Sequence, residues 1–162
     1  MSWILIVGYG NPLRSDDGLG WRAAEELSRK LSSAENAIEV IVRHQLTPEL
    51  ADNIKTADAV FFIDATSSGR PGELSCKPVL RQPWIPHSHE CSPAAVLALA
   101  RHLFDANPVA FAVSLCGECF DHGETLSLPV IAGLPHLIAL VEKLSAEVGA
   151  RHAPIEREEV PS

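Results

Sequence analysis

Short apolar runs that alternate with amphipathic segments constrain the fold of this chain more than any other feature of its sequence. The first run, residues 3–8, is continuous, rich in β-branched residues and closed by Gly8. This pattern indicates a strand that is buried on both faces of a parallel sheet. Further strands are predicted at residues 38–42, 60–64 and 109–115, with residues 73–80 as an edge strand or hairpin arm.

Between these strands, apolar residues recur at helical spacing. One helix is predicted from Leu19 to Leu31, and another starts with Thr47 as its cap and Pro48 at its first position. Two more are predicted at residues 94–104, behind a Ser92 cap, and at 129–148. Alternating strands and helices predict an α/β fold, a single three-layer domain with a mainly parallel twisted sheet and helices on both faces. We assign this domain to residues 1–148 and predict that the polar, aperiodic residues 149–162 are a disordered tail.

Composition narrows the classes of partner. The chain has 162 residues, 46% of them hydrophobic, and a formal charge of -8. The acidic balance argues against nucleic acid and anionic membranes as partners. The N-terminus lacks the features of a signal peptide, and no apolar run approaches the roughly 20 residues that span a bilayer. We therefore expect a cytoplasmic protein, a monomer, with four cysteines present as reduced thiols.

Several polar residues are predicted at the edge of the sheet where ligands bind in folds of this kind. Asp64 ends one strand, Asp16 and Asp17 follow another, and His87 and His89 precede a helix. Because ligands sit outside the carboxyl ends of parallel strands, these groups can converge on one crevice. Two carboxylates and an imidazole suit nickel or zinc and leave coordination positions open. The alternatives are an acid at a helix start, a turn cap and a surface histidine.

Other interpretations of the motifs are weaker. Gly8-x-Gly10 resembles the start of a dinucleotide fingerprint, but Leu13 stands where its third glycine is needed. Cys116-x-x-Cys119 fits either zinc or redox chemistry, or two thiols without a role.

Nucleophilic and acid-base alternatives also stay open. Cys91 and Ser15 are candidate nucleophiles without an identifiable base. Asp64-Ala65-Thr66 suggests an aspartic protease loop, which would need Asp17 as its second carboxyl group.

Four segments, taken in order, carry a family resemblance. They are Ile-Leu-Ile-Val-Gly-Tyr-Gly-Asn-Pro-Leu-Arg-Ser-Asp-Asp-Gly-Leu-Gly at 4–20, Phe-Ile-Asp-Ala at 62–65, Ser-His-Glu-Cys-Ser-Pro at 88–93 and Gly-Glu-Thr-Leu-Ser at 123–127. Together they resemble the signature segments of the hydrogenase maturation proteases. Four ordered segments are far more specific than any one of them.

The resemblance implies a compact α/β fold and a nickel-dependent endopeptidase. Members of that family remove a C-terminal extension from the large-subunit precursor of a nickel–iron hydrogenase after nickel insertion. By position, the metal-contacting residues fall on Asp17, Asp64 and His89, with His87 as the alternative to His89. We expect nickel to arrive with the precursor, and Asp16 is a candidate proton acceptor.

A further segment narrows the expected substrate. Many family members carry Asp-x-Gly-Thr after the second strand, where this chain has His44-Gln45-Leu46. This triplet resembles the subgroup that processes a bidirectional, NAD(P)-linked hydrogenase, and it implies a substrate-recognition loop. The rival hypothesis is a non-catalytic nickel-binding chaperone of hydrogenase assembly.

Overall fold

The computed structural model describes residues 2–31, 37–89 and 91–151, although not the side chain of the last residue. Five strands form one sheet, in the order β2-β1-β3-β5-β4. The strands are β1 (Trp3–Tyr9), β2 (Ala37–Arg43), β3 (Ala59–Thr66), β4 (Leu74–Pro78) and β5 (Val109–Cys116). All neighbours pair in parallel except β4, which lies antiparallel to β5 at one edge. The predicted mainly parallel sheet is confirmed, and residues 73–80 contain the predicted edge strand.

Helices cover both faces of the sheet. They are α1 (Leu19–Leu31), α2 (Leu50–Ile54), α3 (Pro93–Phe104) and α4 (Leu128–Arg151). One apolar core lies between the sheet and the pair α1 and α4, and a second lies between the sheet and the pair α2 and α3. The alternate residues of β1 divide between them, with Ile4 and Ile6 in the first core and Leu5 and Val7 in the second. This division confirms the three-layer α/β fold and explains the continuous apolar run of β1.

Glycines let α1 pack unusually close to β1. A Cβ atom at Gly8 would lie 2.1 Å from the carbonyl oxygen of Gly20. A Cβ atom at Gly20 would lie 2.4 Å from the carbonyl oxygen of Ile63 in β3. Both distances are far shorter than van der Waals contact, so these two glycines set the spacing between helix and sheet. The motif at residues 8–20 therefore has a packing role that needs no nucleotide.

The predicted start of α2 is wrong. Thr47 lies before the helix, in a turn in which its carbonyl accepts a hydrogen bond from Leu50 N at 3.1 Å. The helix begins at Leu50, and Glu49 occupies the cap position without a side-chain bond. Leu46 is already buried, so the chain needs the intervening turn before Leu50 and Ile54 can enter the same core. The Ser92 cap of α3 is confirmed, since its hydroxyl accepts from Ala95 N at 3.1 Å.

Helix α4 is longer than the sequence pattern predicts. It continues to Arg151, so residues 149–151 are helical, and the rest of the predicted tail lies outside the described residues. Residues Leu128–Ala150 are long and apolar enough to cross a membrane by length and composition alone. However, Leu137 and Val141 are completely buried against α1 and the sheet. A core helix explains this composition without a membrane.

Candidate functional site

A cleft opens at the carboxyl ends of β1 and β3, where the strand order reverses. After β1 the chain crosses to β2 on one side, and β3 then pairs on the opposite side of β1. Loops that leave the two strands therefore diverge, which creates the crevice typical of ligand sites in open α/β sheets. The cleft has a volume of about 440 Å³. It is lined by Tyr9, Gly10, Asp17, His44, Gln45, Leu46, Asp64, His89 and Cys91.

The three predicted metal-contacting residues share this cleft. Asp17 comes from the turn after β1, Asp64 from β3, and His89 from the segment between β4 and α3. Over residues 2–31, 37–89 and 91–151, however, no three His, Cys, Asp or Glu side chains are arranged closely enough to hold an ion. The donor set suits nickel, but the arrangement is open.

Asp64 is the most perturbed acid of the cleft. Burial raises its pKa, the hydroxyl group of Tyr9 opposes this by donating a hydrogen bond, and the negative charge of Asp17 raises it further, to about 6. The same contact and burial raise the pKa of Tyr9 far above its ordinary value. Gly8 pairs with Ile63 in the register of β1 and β3, and Tyr9 and Asp64 are the next residues on these two strands, so the sheet brings them together.

Backbone geometry positions Asp17 at the cleft. Its Oδ2 atom accepts a hydrogen bond from Asn11 N at 2.8 Å. Gly10, with φ +133, lies against the same residue, and a Cβ atom there would be 2.1 Å from the carbonyl oxygen of Asp17. Only glycine combines that φ with this close approach. The second glycine of the motif therefore brings the turn against Asp17.

The two histidines of the β4–α3 segment lie in different surroundings. Both are exposed, but His89 lines the cleft, whereas His87 has a positive φ of 62 and is absent from the cleft walls. Of the two histidines, His89 is the one that shares the cleft with Asp17 and Asp64. Cys91 also lines the cleft as an exposed free thiol.

The residues of the predicted recognition triplet differ in their exposure: one is buried and anchors the loop, and two lie at the rim of the cleft. Leu46 is only 3% exposed and belongs to the core beneath α2 and α3. His44 and Gln45 are exposed and face the cleft. Of the triplet, these two side chains are therefore available to a partner, while Leu46 fixes the end of the loop.

Asp16 lies outside the cleft and has a different role. It is completely buried, and its carboxylate accepts four hydrogen bonds: from Glu118 N at 2.7 Å, Cys119 N at 3.0 Å, Ser127 N at 2.7 Å and Ser127 Oγ at 2.8 Å. Burial alone would raise its pKa, but these bonds together lower it below the ordinary value. This geometry gives no support to Asp16 as a proton acceptor.

These bonds belong to a larger contact that we call the loop junction, between residues 11–18 and residues 117–127. Ser15 N donates to the carbonyl of Gly123 at 2.8 Å, and the Ser15 hydroxyl donates to the carbonyl of Asp121 at 2.8 Å. Ser15 is thus engaged in structure and is not a cleft nucleophile. The sequence contained one signal of this junction, because the acidic motif and the Gly-Glu-Thr-Leu-Ser segment at 123–127 are the first and the last of the four segments that carry the family resemblance.

The Cys-x-x-Cys motif is part of the loop junction. Cys116 ends β5 and is buried, whereas Cys119 is partly exposed and supplies one of the backbone donors to Asp16. Both thiols are free, and no three-residue metal group includes them within the part of the chain that the structure describes. The structure assigns the backbone of this loop a role and leaves the two sulfur atoms without one.

Comparison with known proteins gives solved structures of similar fold. No protein-family model matches the chain, and no curated protein matches it. The hydrogenase maturating endopeptidase HybD from Escherichia coli has a TM-score of 0.67 at 20% identity, over 90% of this chain and 93% of that one. The nickel–iron hydrogenase maturation protease HycI from Thermococcus kodakarensis has a TM-score of 0.66 at 22% identity, over 91% and 92%. An endopeptidase from Escherichia coli has a TM-score of 0.68 at 22% identity, over 90% and 93%. At these identities the likeness establishes a shared fold.

Proposed function

We propose that this protein is an endopeptidase that removes the C-terminal extension of a nickel–iron hydrogenase large-subunit precursor after nickel insertion. One observation carries the proposal: Asp17, Asp64 and His89, which the motif resemblance singles out, line a single cleft at the switch point of the sheet. The fold is that of proteins named as hydrogenase maturation proteases, and the match spans nearly the whole of each chain. A cytoplasmic monomer that binds the precursor transiently fits this role.

In this proposal nickel is part of the substrate. Asp17, Asp64 and His89 would bind the ion already seated in the precursor, and the open arrangement of these side chains leaves room for the precursor's own ligands. The bound ion supplies Lewis acidity that polarises a carbonyl group or activates water. Recognition of nickel would restrict cleavage to precursors that have completed metal insertion.

The protein's own groups supply the positioning. Tyr9 donates to Asp64 and so fixes the orientation of that carboxylate, while Asn11 N does the same for Asp17. In the nickel-free protein Asp64 has a pKa of about 6, so it would readily give up its proton when the ion binds. An aspartic-type mechanism with Asp17 and Asp64 as the carboxyl pair remains the second candidate.

His44 and Gln45 define the expected substrate class. Their exposed side chains at the cleft rim suit contact with the precursor, and the triplet resembles that of proteases for the bidirectional, NAD(P)-linked hydrogenase. We therefore propose the large-subunit precursor of such a hydrogenase as the substrate.

The test is a cleavage assay read by the mass of the precursor. The purified protein is mixed with nickel-loaded and nickel-free precursor of a bidirectional hydrogenase. We expect loss of a C-terminal peptide from the loaded form only. Cleavage of both forms would remove nickel from the recognition step.

A matched pair of variants locates the site in the same assay. His89→Ala should abolish cleavage, whereas His136→Ala, an exposed histidine on α4, should not change it. Binding of nickel-loaded precursor without any cleavage by the unaltered protein would overturn the protease proposal in favour of the chaperone.

A further inference from the structure

Trp21 connects two of the segments that form the walls of the cleft, although its own side chain lies outside the cleft. It lies in the first turn of α1, and its indole N–H is shared between two carbonyl oxygens, Gly10 O at 2.9 Å and Arg43 O at 3.1 Å. Gly10 N donates to the same Arg43 carbonyl at 3.1 Å. A single side chain therefore ties the turn after β1 to the end of β2.

The ring of Trp21 also packs against the rim of the cleft. It meets the imidazole of His44 edge-on, with ring centroids 5.2 Å apart and an interplanar angle of 65°. Trp21 is not among the cleft-lining residues. It faces a separate groove between α1 and β2, which it shares with Arg22 and Val42. Trp21 thus contacts His44 from the side away from the cleft.

The recognition loop is consequently held at both ends. Leu46 is buried in the core at one end, and the Arg43 carbonyl is bound by Gly10 and Trp21 at the other. Between these anchors, His44 and Gln45 are exposed, and the edge of the Trp21 ring limits where the imidazole can lie. A pre-positioned loop binds its partner at a smaller entropic cost than a mobile one.

We infer that Trp21 is a positioning residue that sets His44 and Gln45 for recognition of the precursor, and so determines which precursor the cleft accepts. The inference rests on the proposed function and extends it to a residue outside the cleft. The imidazole and the primary amide together offer donors and acceptors, which suit a polar peptide segment with a hydrogen-bonding backbone. Trp21 acts through these two side chains and touches no reacting group.

The alternative is that Trp21 contributes only to the packing of α1 against the sheet. A packing role would lower stability without changing substrate preference. A positioning role would weaken binding of precursor while leaving the chemical step intact, so KM would rise and kcat would not change. It would also depend on His44 and Gln45, so combining Trp21→Phe with their removal gives a mutant-cycle test.

The experiment measures kcat and KM on two nickel-loaded precursors, one from a bidirectional hydrogenase and one from another hydrogenase class. Trp21→Phe keeps an aromatic ring but loses the shared N–H. We expect KM for the bidirectional precursor to rise roughly tenfold, kcat to stay within about twofold, and the preference between precursors to fall by a similar factor. Trp3→Phe, which alters an exposed ring at the opposite end of β1, is the matched control and should change neither constant.

A variant that lacks both recognition side chains, His44→Ala with Gln45→Ala, decides between positioning and packing. If Trp21 acts through these side chains, Trp21→Phe should add little to the loss that this variant already shows. An equal further loss in that background, or unchanged KM and preference in Trp21→Phe, would overturn the inference while the protease activity stands. Failure of the unaltered protein to cleave either precursor would instead overturn the proposed function, and this inference with it. Urea unfolding of each variant shows that the kinetic constants belong to folded protein.

Discussion

Asp16 and Asp17 are neighbours in the sequence but belong to two different regions of the molecule. Asp16 points into the loop junction, where it is completely buried and accepts four hydrogen bonds. Asp17 points into the cleft, where Asn11 N donates to its Oδ2 atom and the rest of the carboxylate faces open space. A carboxylate whose oxygen atoms already accept hydrogen bonds from the chain stabilises the structure. A carboxylate that faces a cleft can instead bind a ligand.

The two regions also treat negative charge differently. In the loop junction, backbone and hydroxyl donors outweigh burial and lower the pKa of Asp16. In the cleft, burial of Asp64 dominates, and the nearby charge of Asp17 adds to it, so the pKa of Asp64 rises to about 6. The loop junction thus holds its charge permanently, whereas the cleft holds an acid whose charge is costly until a cation or a proton neutralises it.

Asp17→Asn should show the largest effect, and only on activity. Asparagine can still accept the bond from Asn11 N but loses the charge that a cation needs. We expect kcat/KM for nickel-loaded precursor to fall at least roughly a hundredfold, and the free energy of unfolding to change by less than about 0.5 kcal/mol. Asp52→Asn, at an exposed acid on α2, is the control. Full activity of Asp17→Asn would place the working charge elsewhere.

Asp16→Asn should show the reverse pattern. The side-chain amide of asparagine would point N–H groups at the backbone donors of Glu118, Cys119 or Ser127. We expect the free energy of unfolding at pH 7 to fall by about 3 kcal/mol, measured by urea denaturation. Because the folded-state pKa is lowered, the carboxylate stabilises the fold at neutral pH and loses this effect as the pH falls. The difference between the two proteins should therefore shrink in acid. Equal stability at pH 7 would show that the loop junction does not depend on this charge.

Asp64→Asn should stabilise the nickel-free protein, in a pH-dependent way. A folded pKa of about 6, raised from 3.8, means that the folded state binds the proton more tightly than the unfolded state. The unaltered protein therefore loses stability as the pH rises from about 4 to about 7, and the variant does not. We expect the variant to be more stable by about 2 kcal/mol at pH 8 and equally stable at pH 4. Urea denaturation with a chelator present measures this, and a constant difference across the range would contradict the raised pKa.

Cys119→Ala should show the smallest effect. The loop junction uses the backbone N–H of Cys119, which alanine retains, and the thiol is partly exposed. We expect cleavage to be unchanged and the free energy of unfolding to shift by less than about 0.5 kcal/mol. A large loss of activity would revive the metal or redox interpretation of the Cys-x-x-Cys pair.

The sequence predicted those features that depend on local pattern. The apolar run of β1, the Ser92 cap and the helical spacing of α1 are each visible within a short stretch of sequence. Such local patterns were enough to predict the sheet, most of its helices and the strand ends that face the cleft. The cap at Thr47 failed because burial of Leu46 and Leu50 in one core overrode a good local signal. Propensity is a weak prior where tertiary packing decides.

The function of Asp16 could not be predicted in the same way. Its partner Ser127 lies 111 residues further along the chain, and no periodicity connects the two. The resemblance assigned metal contact to Asp17 and proton transfer to Asp16, and only the fold shows that the Asp16 carboxylate is engaged in the loop junction. For the same reason, the sequence alone could not show that His44 is exposed at the rim of the cleft while Leu46 is buried. That difference depends on where the core lies.

The loop junction also has a consequence for synthesis of the chain on the ribosome. The described residues that line the cleft lie at or before residue 91, but the partners of Asp16 follow only at residues 118–127. Until residues 118–127 have left the ribosomal exit tunnel, the Asp16 carboxylate lacks its hydrogen-bond donors. We therefore expect the turn that carries Asp16 and Asp17 to stay open to proteolysis in a nascent chain until that segment has emerged, and to be protected afterwards.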